Sequence, residues 1–122
     1  MSGFDDVIVH GDFNTKNILV SKSDHAIVAL LDWEQVHLGK PLEDICWYEW
    51  VLRRNDSSND VSDQLKHFYI GYGTQPSWAD RHQGILDRLN SIIDGLKDDN
   101  EPTDAIEYWM KLLKEAEAFQ EI

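Results

Sequence analysis

The chain has 122 residues, 42% hydrophobic and 11% aromatic, which is enough apolar material for the core of one ordinary domain and excludes global disorder. Its 23 acidic and 11 basic residues give a formal net charge of −12, which repels phosphate backbones and anionic lipid and argues against nucleic acid or a membrane surface as partner. No apolar run approaches the roughly 18 residues that span a bilayer, the first residues lack the pattern of a signal peptide, and the one cysteine, Cys46, cannot close an internal disulfide, so a reducing cytoplasm is the natural setting.

In chain order, Val7-Ile8-Val9 is short, apolar and β-branched, the pattern of a buried strand. Gly11 to Lys16 is a polar loop. A second strand covers Asn17 to Val20, Ser21 to His25 is turn chemistry, and Ala26 to Leu31 forms a third strand that ends at Asp32. The second and third strands, joined by a short polar connection, form a hairpin.

After Gly39-Lys40-Pro41 the pattern becomes helical. A first helix opens at Pro41 or Leu42 and runs to about Arg54, with Ile45, Tyr48, Val51 and Leu52 on one face. Trp47 and Trp50 fall off that stripe, so more than one side of the helix is covered. Asn55 to Asn59 reads as a turn. Val61, Leu65, Phe68, Tyr69 and Tyr72 mark a second helix, stopped by Gly71 and Gly73. Ser77 to Asp80 is a capping-box variant before a long helix with Ile85, Leu89, Ile92, Ile93 and Leu96 inward. An acidic linker, Asp98 to Glu101, precedes Pro102 in the first turn of a last helix, where Ile106, Trp109, Met110, Leu113, Ala116 and Phe119 recur at helical spacing. The fold class is α+β: a loop-and-hairpin region over 1–40 and about four bundled helices over 41–122, in one domain.

The chemistry concentrates near the start. His10-Gly11-Asp12 is followed five residues later by Asn17, and Asp32-Trp33-Glu34 lies downstream. A carboxylate on a rigid loop, Asp12, suits orienting and deprotonating a hydroxyl. Asn17 offers a neutral oxygen and Asp32 an anionic one, the hard ligands magnesium prefers. The D-x-x-x-x-N spacing is that of kinase catalytic loops, where an Arg precedes the Asp; Gly11 stands there instead. Asp12, Asn17 and Asp32 are expected to converge on one solvent-reachable site. His10 suits holding the loop by hydrogen bonding, and Asp44 suits capping the helix it opens. Cys46 reads as an inert core thiol, and His25, His37, His67 and His82 share no metal-ligand spacing.

Three segments together resemble the aminoglycoside phosphotransferase and choline kinase-like family, over about Val7 to Trp50. His10 to Val20 is similar to its catalytic loop and following strand, Leu31-Asp32-Trp33-Glu34 to its magnesium-binding segment, and Leu38 to Ile45 to its G-x-P-x-x-D continuation. Phosphotransferase-like domains attached to acyl-CoA dehydrogenases carry similar Asp-Trp-Glu segments. Two positions depart: Glu34 replaces the glycine of a protein kinase's D-F-G, and Lys40 sits where an acidic residue is common. Neither removes a metal ligand.

The resemblance implies a protein-kinase-like C-lobe whose complete enzyme transfers the γ-phosphate of ATP to a small-molecule hydroxyl. It implies Asp12 as the catalytic residue, Asn17 and Asp32 as magnesium ligands, and Asp44 with His10 as structural support. The sequence holds no G-x-G-x-x-G loop and no strand lysine with a helix glutamate partner, so the N-terminal nucleotide-binding lobe is read as absent and the cofactor-binding residues stay unassigned. Such a partial domain is expected to be catalytically silent, to bind magnesium weakly, and to pair with a second copy or with the missing lobe through uncovered apolar surface. Two further readings stand beside it: a non-catalytic, self-associating module derived from a kinase lobe, and a magnesium-dependent hydrolase using His10, Asp12, Asp32 and Glu34 directly.

Overall fold

The computed structural model describes residues 6–55 and 61–122, so the turn expected after Asn55 lies outside the described residues. The chain divides into two compact units, Met1–Val61 and Ser62–Ile122.

In the first unit, β1 (Val7–Val9) pairs antiparallel with β4 (His37–Gly39), and β2 (Ile18–Val20) with β3 (Ile27–Leu30). Val7, Ile8 and Val9 stand opposite Gly39, Leu38 and His37. Ile18 stands opposite Leu30 and Leu19 opposite Ala29, before a bulge shifts Val20 onto Ile27. The hairpin is the expected one, but both strands are shorter than expected: Asn17 closes a 3-10 turn (Thr15–Asn17) ahead of β2, and Ala26 and Leu31 flank β3 outside it. At its tip Asp24 accepts the Ala26 N–H at 3.1 Å. That bond, with help from Ser21, holds the Asp24 carboxyl below its ordinary range.

β4 has no counterpart in the sequence reading. His37-Leu38-Gly39 is too short and too poor in β-formers to signal a strand, and it becomes one only by pairing with β1. The buried-strand reading of β1 holds for Val9 alone. Ile8 is 69% exposed and its partner Leu38 72% exposed. Ile27 and Val28 are 65% and 62% exposed, and as consecutive strand residues they point to opposite faces, so the hairpin is open on both sides.

Helix α1 (Pro41–Asn55) starts with proline at its first position, where the missing N–H costs nothing. Glu43 reaches back through Oε2 to the Lys40 N–H at 2.8 Å, half of a capping box, and its Oε1 bonds the His37 ring at 2.8 Å. The fully buried stripe is Ile45, Cys46, Glu49 and Trp50, while Tyr48, Val51 and Leu52 are half-buried. The expected stripe was rotated because Glu49 reads as a surface residue; in fact it is buried and its carboxylate is met by Arg53 at 2.9 Å.

The second unit contains α2 (Val61–Tyr72, whose first residue closes the first unit), α3 (Trp78–Asp98) and α4 (Thr103–Glu117). Gly71 lies within α2, and the stop is Gly73, whose φ of +104° suits glycine and whose N–H bonds the Tyr69 carbonyl at 3.0 Å. Ser77 caps α3 by accepting the Asp80 N–H at 3.1 Å. Arg81, Ile85, Leu89 and Ile93 form the buried stripe of α3, and Leu112 and Ala116 that of α4. Arg81 is tolerated there because its Nε donates to the Pro76 carbonyl at 2.9 Å and its guanidinium lies over the Tyr69 and Trp78 rings, at 5.4 and 5.2 Å. The His82 ring bonds the Ala116 carbonyl at 2.8 Å and ties the two helices together.

Two details of α4 differ from expectation. Pro102 precedes the helix as its N-cap, with an extended ψ of 144°, and Met110 is exposed while Leu112 takes the buried position. The class is α+β, short antiparallel strands followed by four helices, consistent with a protein-kinase-like C-lobe; among the described residues no strand follows position 42.

Candidate functional site

The site begins where β1 ends. The chain turns sharply at Gly11, whose φ is +93°. A Cβ there would lie 2.5 Å from both Cβ and the carbonyl oxygen of Gln35, so the turn also admits the main chain of the 34–36 segment at close range. This accounts for a glycine where protein kinases carry an arginine.

Asp44 holds the turn from α1. Its Oδ2 accepts the His10 N–H at 2.8 Å and its Oδ1 the Gly11 N–H at 3.0 Å. Asp44 therefore caps the loop and not its own helix, a service that falls to Glu43. His10 is buried with both ring nitrogens engaged. Nε2 bonds the Leu31 carbonyl at 2.7 Å, and Nδ1 receives the Asp12 N–H at 3.1 Å. Carbonyl oxygen only accepts and amide N–H only donates, which assigns the ring proton to Nε2. The Trp33 ring packs edge-on against His10 at 4.5 Å, and its indole N–H donates to the Leu30 carbonyl at 2.9 Å.

Asp12 sits at the centre of a small polar network. Its Oδ1 accepts the Asn14 side-chain amide at 3.1 Å and the Trp47 indole N–H at 2.9 Å. Its Oδ2 accepts the Asn17 side-chain amide at 3.2 Å, and the same Asn17 amide bonds the Asp12 carbonyl at 2.8 Å. Asn14 also starts the 3-10 turn, accepting the Lys16 N–H at 2.9 Å, and that turn carries Asn17 back beneath Asp12. Phe13 leans on Tyr48 with ring centroids 5.5 Å apart; partial burial pushes the Tyr48 hydroxyl above its ordinary range.

Asp32 approaches through the backbone. The Leu31 N–H donates to the Asn17 carbonyl at 2.8 Å, so the residue before Asp32 is hydrogen-bonded to both Asn17 and His10. Asp32 itself has a φ of +59°, which aspartate tolerates better than bulkier residues. It is exposed, and its carboxylate makes no hydrogen bond or ion pair among the described residues.

Among the described residues no three His, Cys, Asp or Glu side chains group to hold a metal ion. The oxygens of Asn17 and Asp32 are nonetheless the kind a magnesium ion accepts when water and phosphate fill most of its shell. Asn17 spends its N–H2 on Asp12, which leaves Oδ1 as the other end of the amide.

Two participants escaped the sequence reading. Asn14 had a signal, since an Asn two residues after an Asp in a polar loop is turn chemistry. Trp47 was recognised only as falling off the apolar stripe, and its distinguishing feature is that it follows Asp44 by three residues, one turn along the helix.

The model of the phosphotransferase enzyme family matches residues 2–84. Acyl-CoA dehydrogenase family member 11 of Gallus gallus is 35% identical over 55 residues, which is 42% of this chain and 7% of that protein. The protein of the same name from Mus musculus is 36% identical over 53 residues, 40% of this chain and 7% of its own. That of Pongo abelii is 37% identical over 41 residues, 34% of this chain and 5% of its own. The matched segment is thus less than a tenth of these relatives' length. No solved structure matches the chain.

Proposed function

The chain belongs to the phosphotransferase enzyme family, and on that premise we propose that it carries the catalytic-loop part of an ATP-dependent phosphotransferase acting on a small-molecule hydroxyl. Asp12 orients the hydroxyl and takes its proton late in the transfer. Asn17 and Asp32 hold magnesium, which when bound neutralises phosphate charge. His10 and Asp44 keep the loop in shape. The observation that carries this reading is the contact of the Asp12 carboxylate with Asn17, whose main chain is bonded to the residue preceding Asp32.

The engagement of both His10 nitrogens supports a structural role and weighs against the hydrolase reading, which needs His10 free to activate water. The 122 residues contain no glycine-rich phosphate loop, so by themselves they turn nothing over. Positioning and electrostatic preorganisation carry most of this reaction's rate, and a base with two metal ligands supplies neither a triphosphate clamp nor an adenine pocket. The proposed setting is a reducing cytoplasm, which suits the single cysteine, Cys46, a buried free thiol.

A second reading, a self-associating module without catalysis, is favoured by one observation. The exposed apolar side chains of the strands, with Ile8 facing Leu38 and Ile27 beside Val28, are more than isolated surface residues. Manganese, a paramagnetic substitute for magnesium, tests the first reading by NMR. Broadening centred on Asn17 and Asp32, weakening with distance from them and lost in Asp32→Ala, is expected. Broadening centred elsewhere refutes the metal assignment. Turnover of MgATP with hydroxyl acceptors, abolished by Asp12→Asn, would refute the silence of the isolated chain.

A further inference from the structure

One turn of α1 addresses three consecutive loop residues. Asp44 takes the main-chain N–H groups of His10 and Gly11, and Trp47, three residues on, reaches the side chain of Asp12. The Trp47 ring is itself fixed, packed on the buried Trp50 with centroids 4.6 Å apart and planes at 33°. Its N–H is therefore delivered by a rigid helix and a braced ring, not by a mobile side chain.

The Asp12 oxygens are unequally loaded. Oδ1 carries two donors, Trp47 at 2.9 Å and Asn14 at 3.1 Å. Oδ2 carries one, the Asn17 amide at 3.2 Å, and that amide holds the Asp12 carbonyl more closely, at 2.8 Å. A carboxylate oxygen offers about two acceptor sites, so Oδ1 is filled within the protein while Oδ2 keeps room for one more donor.

We propose that Trp47 is the positioning residue of the candidate base: its indole N–H locks Asp12 Oδ1 and leaves Oδ2 as the oxygen that meets the substrate hydroxyl. Asn14 and Asn17 come from the loop itself and move with it. Trp47 is the side-chain donor that references the carboxylate to the helix. Without it the group can turn about its Cβ–Cγ bond and present either oxygen. The choice of Oδ2 rests on the phosphotransferase reading above; the locking of Oδ1 does not.

Indole and side-chain amide signals of the 15N-labelled chain test this without a substrate. Trp47→Phe keeps a ring on Trp50, deletes one indole signal and so assigns it. In Asp12→Ala that signal should move, and its exchange with solvent should quicken about tenfold or more, as for loss of a charge-assisted hydrogen bond. The Trp33 indole, bonded to the Leu30 carbonyl, should stay.

In Trp47→Phe the side-chain amides of Asn14 and Asn17 should shift while the main-chain amides of His10 and Gly11, held by Asp44, do not. A Trp47 indole signal unmoved by Asp12→Ala overturns the proposal. So does a Trp47→Phe spectrum in which His10 and Gly11 move as much as the two asparagines, since that is the mark of a packing residue. If Trp47→Phe fails to fold, the Asp12→Ala arm decides alone, with the indole assigned from its contacts to Trp50. None of these signals needs metal or nucleotide, so manganese broadening centred away from Asn17 and Asp32 would refute the metal assignment of the functional reading while leaving this result intact.

Discussion

Gly11→Ala should damage the first unit more than any other single-methyl change in it. Two independent penalties meet at this position. The φ of +93° is a region that side chains with a Cβ enter at a cost of about 1–3 kcal/mol. The added Cβ would also meet the Gln35 Cβ and carbonyl oxygen at 2.5 Å and its carbonyl carbon at 2.8 Å. These are main-chain atoms or the atom next to them, so no side-chain rotation relieves the overlap, and overpacking of this kind costs about 1–3 kcal/mol more.

Each route of escape breaks something. Moving Gln35 away pulls on β4, whose His37 is paired with Val9. Rotating the Gly11 peptide gives up its bond to Asp44. The expected loss is therefore about 2–6 kcal/mol, a large part of the stability of an ordinary domain. Urea unfolding followed by tryptophan fluorescence measures it, with amide exchange at His10 and Val9 reporting the first unit. Gly71→Ala is the control: nothing lies within 4 Å of the new methyl and the residue is helical, so it should gain about 0.5–1 kcal/mol. If Gly11→Ala stays within about 0.5 kcal/mol of the parent, the strain argument is wrong.

Asp44→Ala removes the acceptor of two loop N–H groups and should cost about 2–4 kcal/mol, with exchange at His10 and Gly11 accelerating before that at α1. Tyr48 supplies a pH effect. Its folded-state pKa is raised above the unfolded value of 10.0, so the stability it contributes is complete below that pH and is lost as pH rises through the folded value. Tyr48→Phe should flatten the alkaline decline seen in melting temperature. The uncovered strands predict self-association at micromolar concentration by light scattering, weakened by Leu38→Lys, which charges the most exposed apolar position of β4; a parent chain that scatters as a clean monomer would count against it.

The parts of the fold legible in the sequence were those coded locally. Helix periodicity, the Ser77 cap and the β2–β3 turn are properties of residues within one or two turns of each other. What escaped depends on distant partners. β4 is a strand only because β1 lies beside it. The buried face of α1 was misjudged because Glu49 is hidden with Arg53, and a buried charge looks like a surface residue until its counter-ion is located. The same division runs through the candidate site. The spacing of Asp12 and Asn17 was readable, whereas the donors that fix Asp12 include a tryptophan 35 positions away.

On the proposed reading, the two halves of the site differ in how much order they hold before any ligand arrives. Asp12 accepts from Asn14, Asn17 and Trp47, beneath a loop pinned by Asp44 and His10. Little remains for that carboxylate to lose on meeting a hydroxyl, which is the condition for a preorganised base. Asp32 is the reverse: exposed, at a left-handed φ, with no bond to its carboxylate among the described residues. A cation held there must pay the ordering of that side chain out of its own binding energy, and with Asn17 as the other protein ligand it draws on few contacts to do so. Weak metal binding by these residues alone then follows from the structure of the loop and not from a defect in the ligand set, and phosphate oxygens brought by a nucleotide would supply the missing contacts.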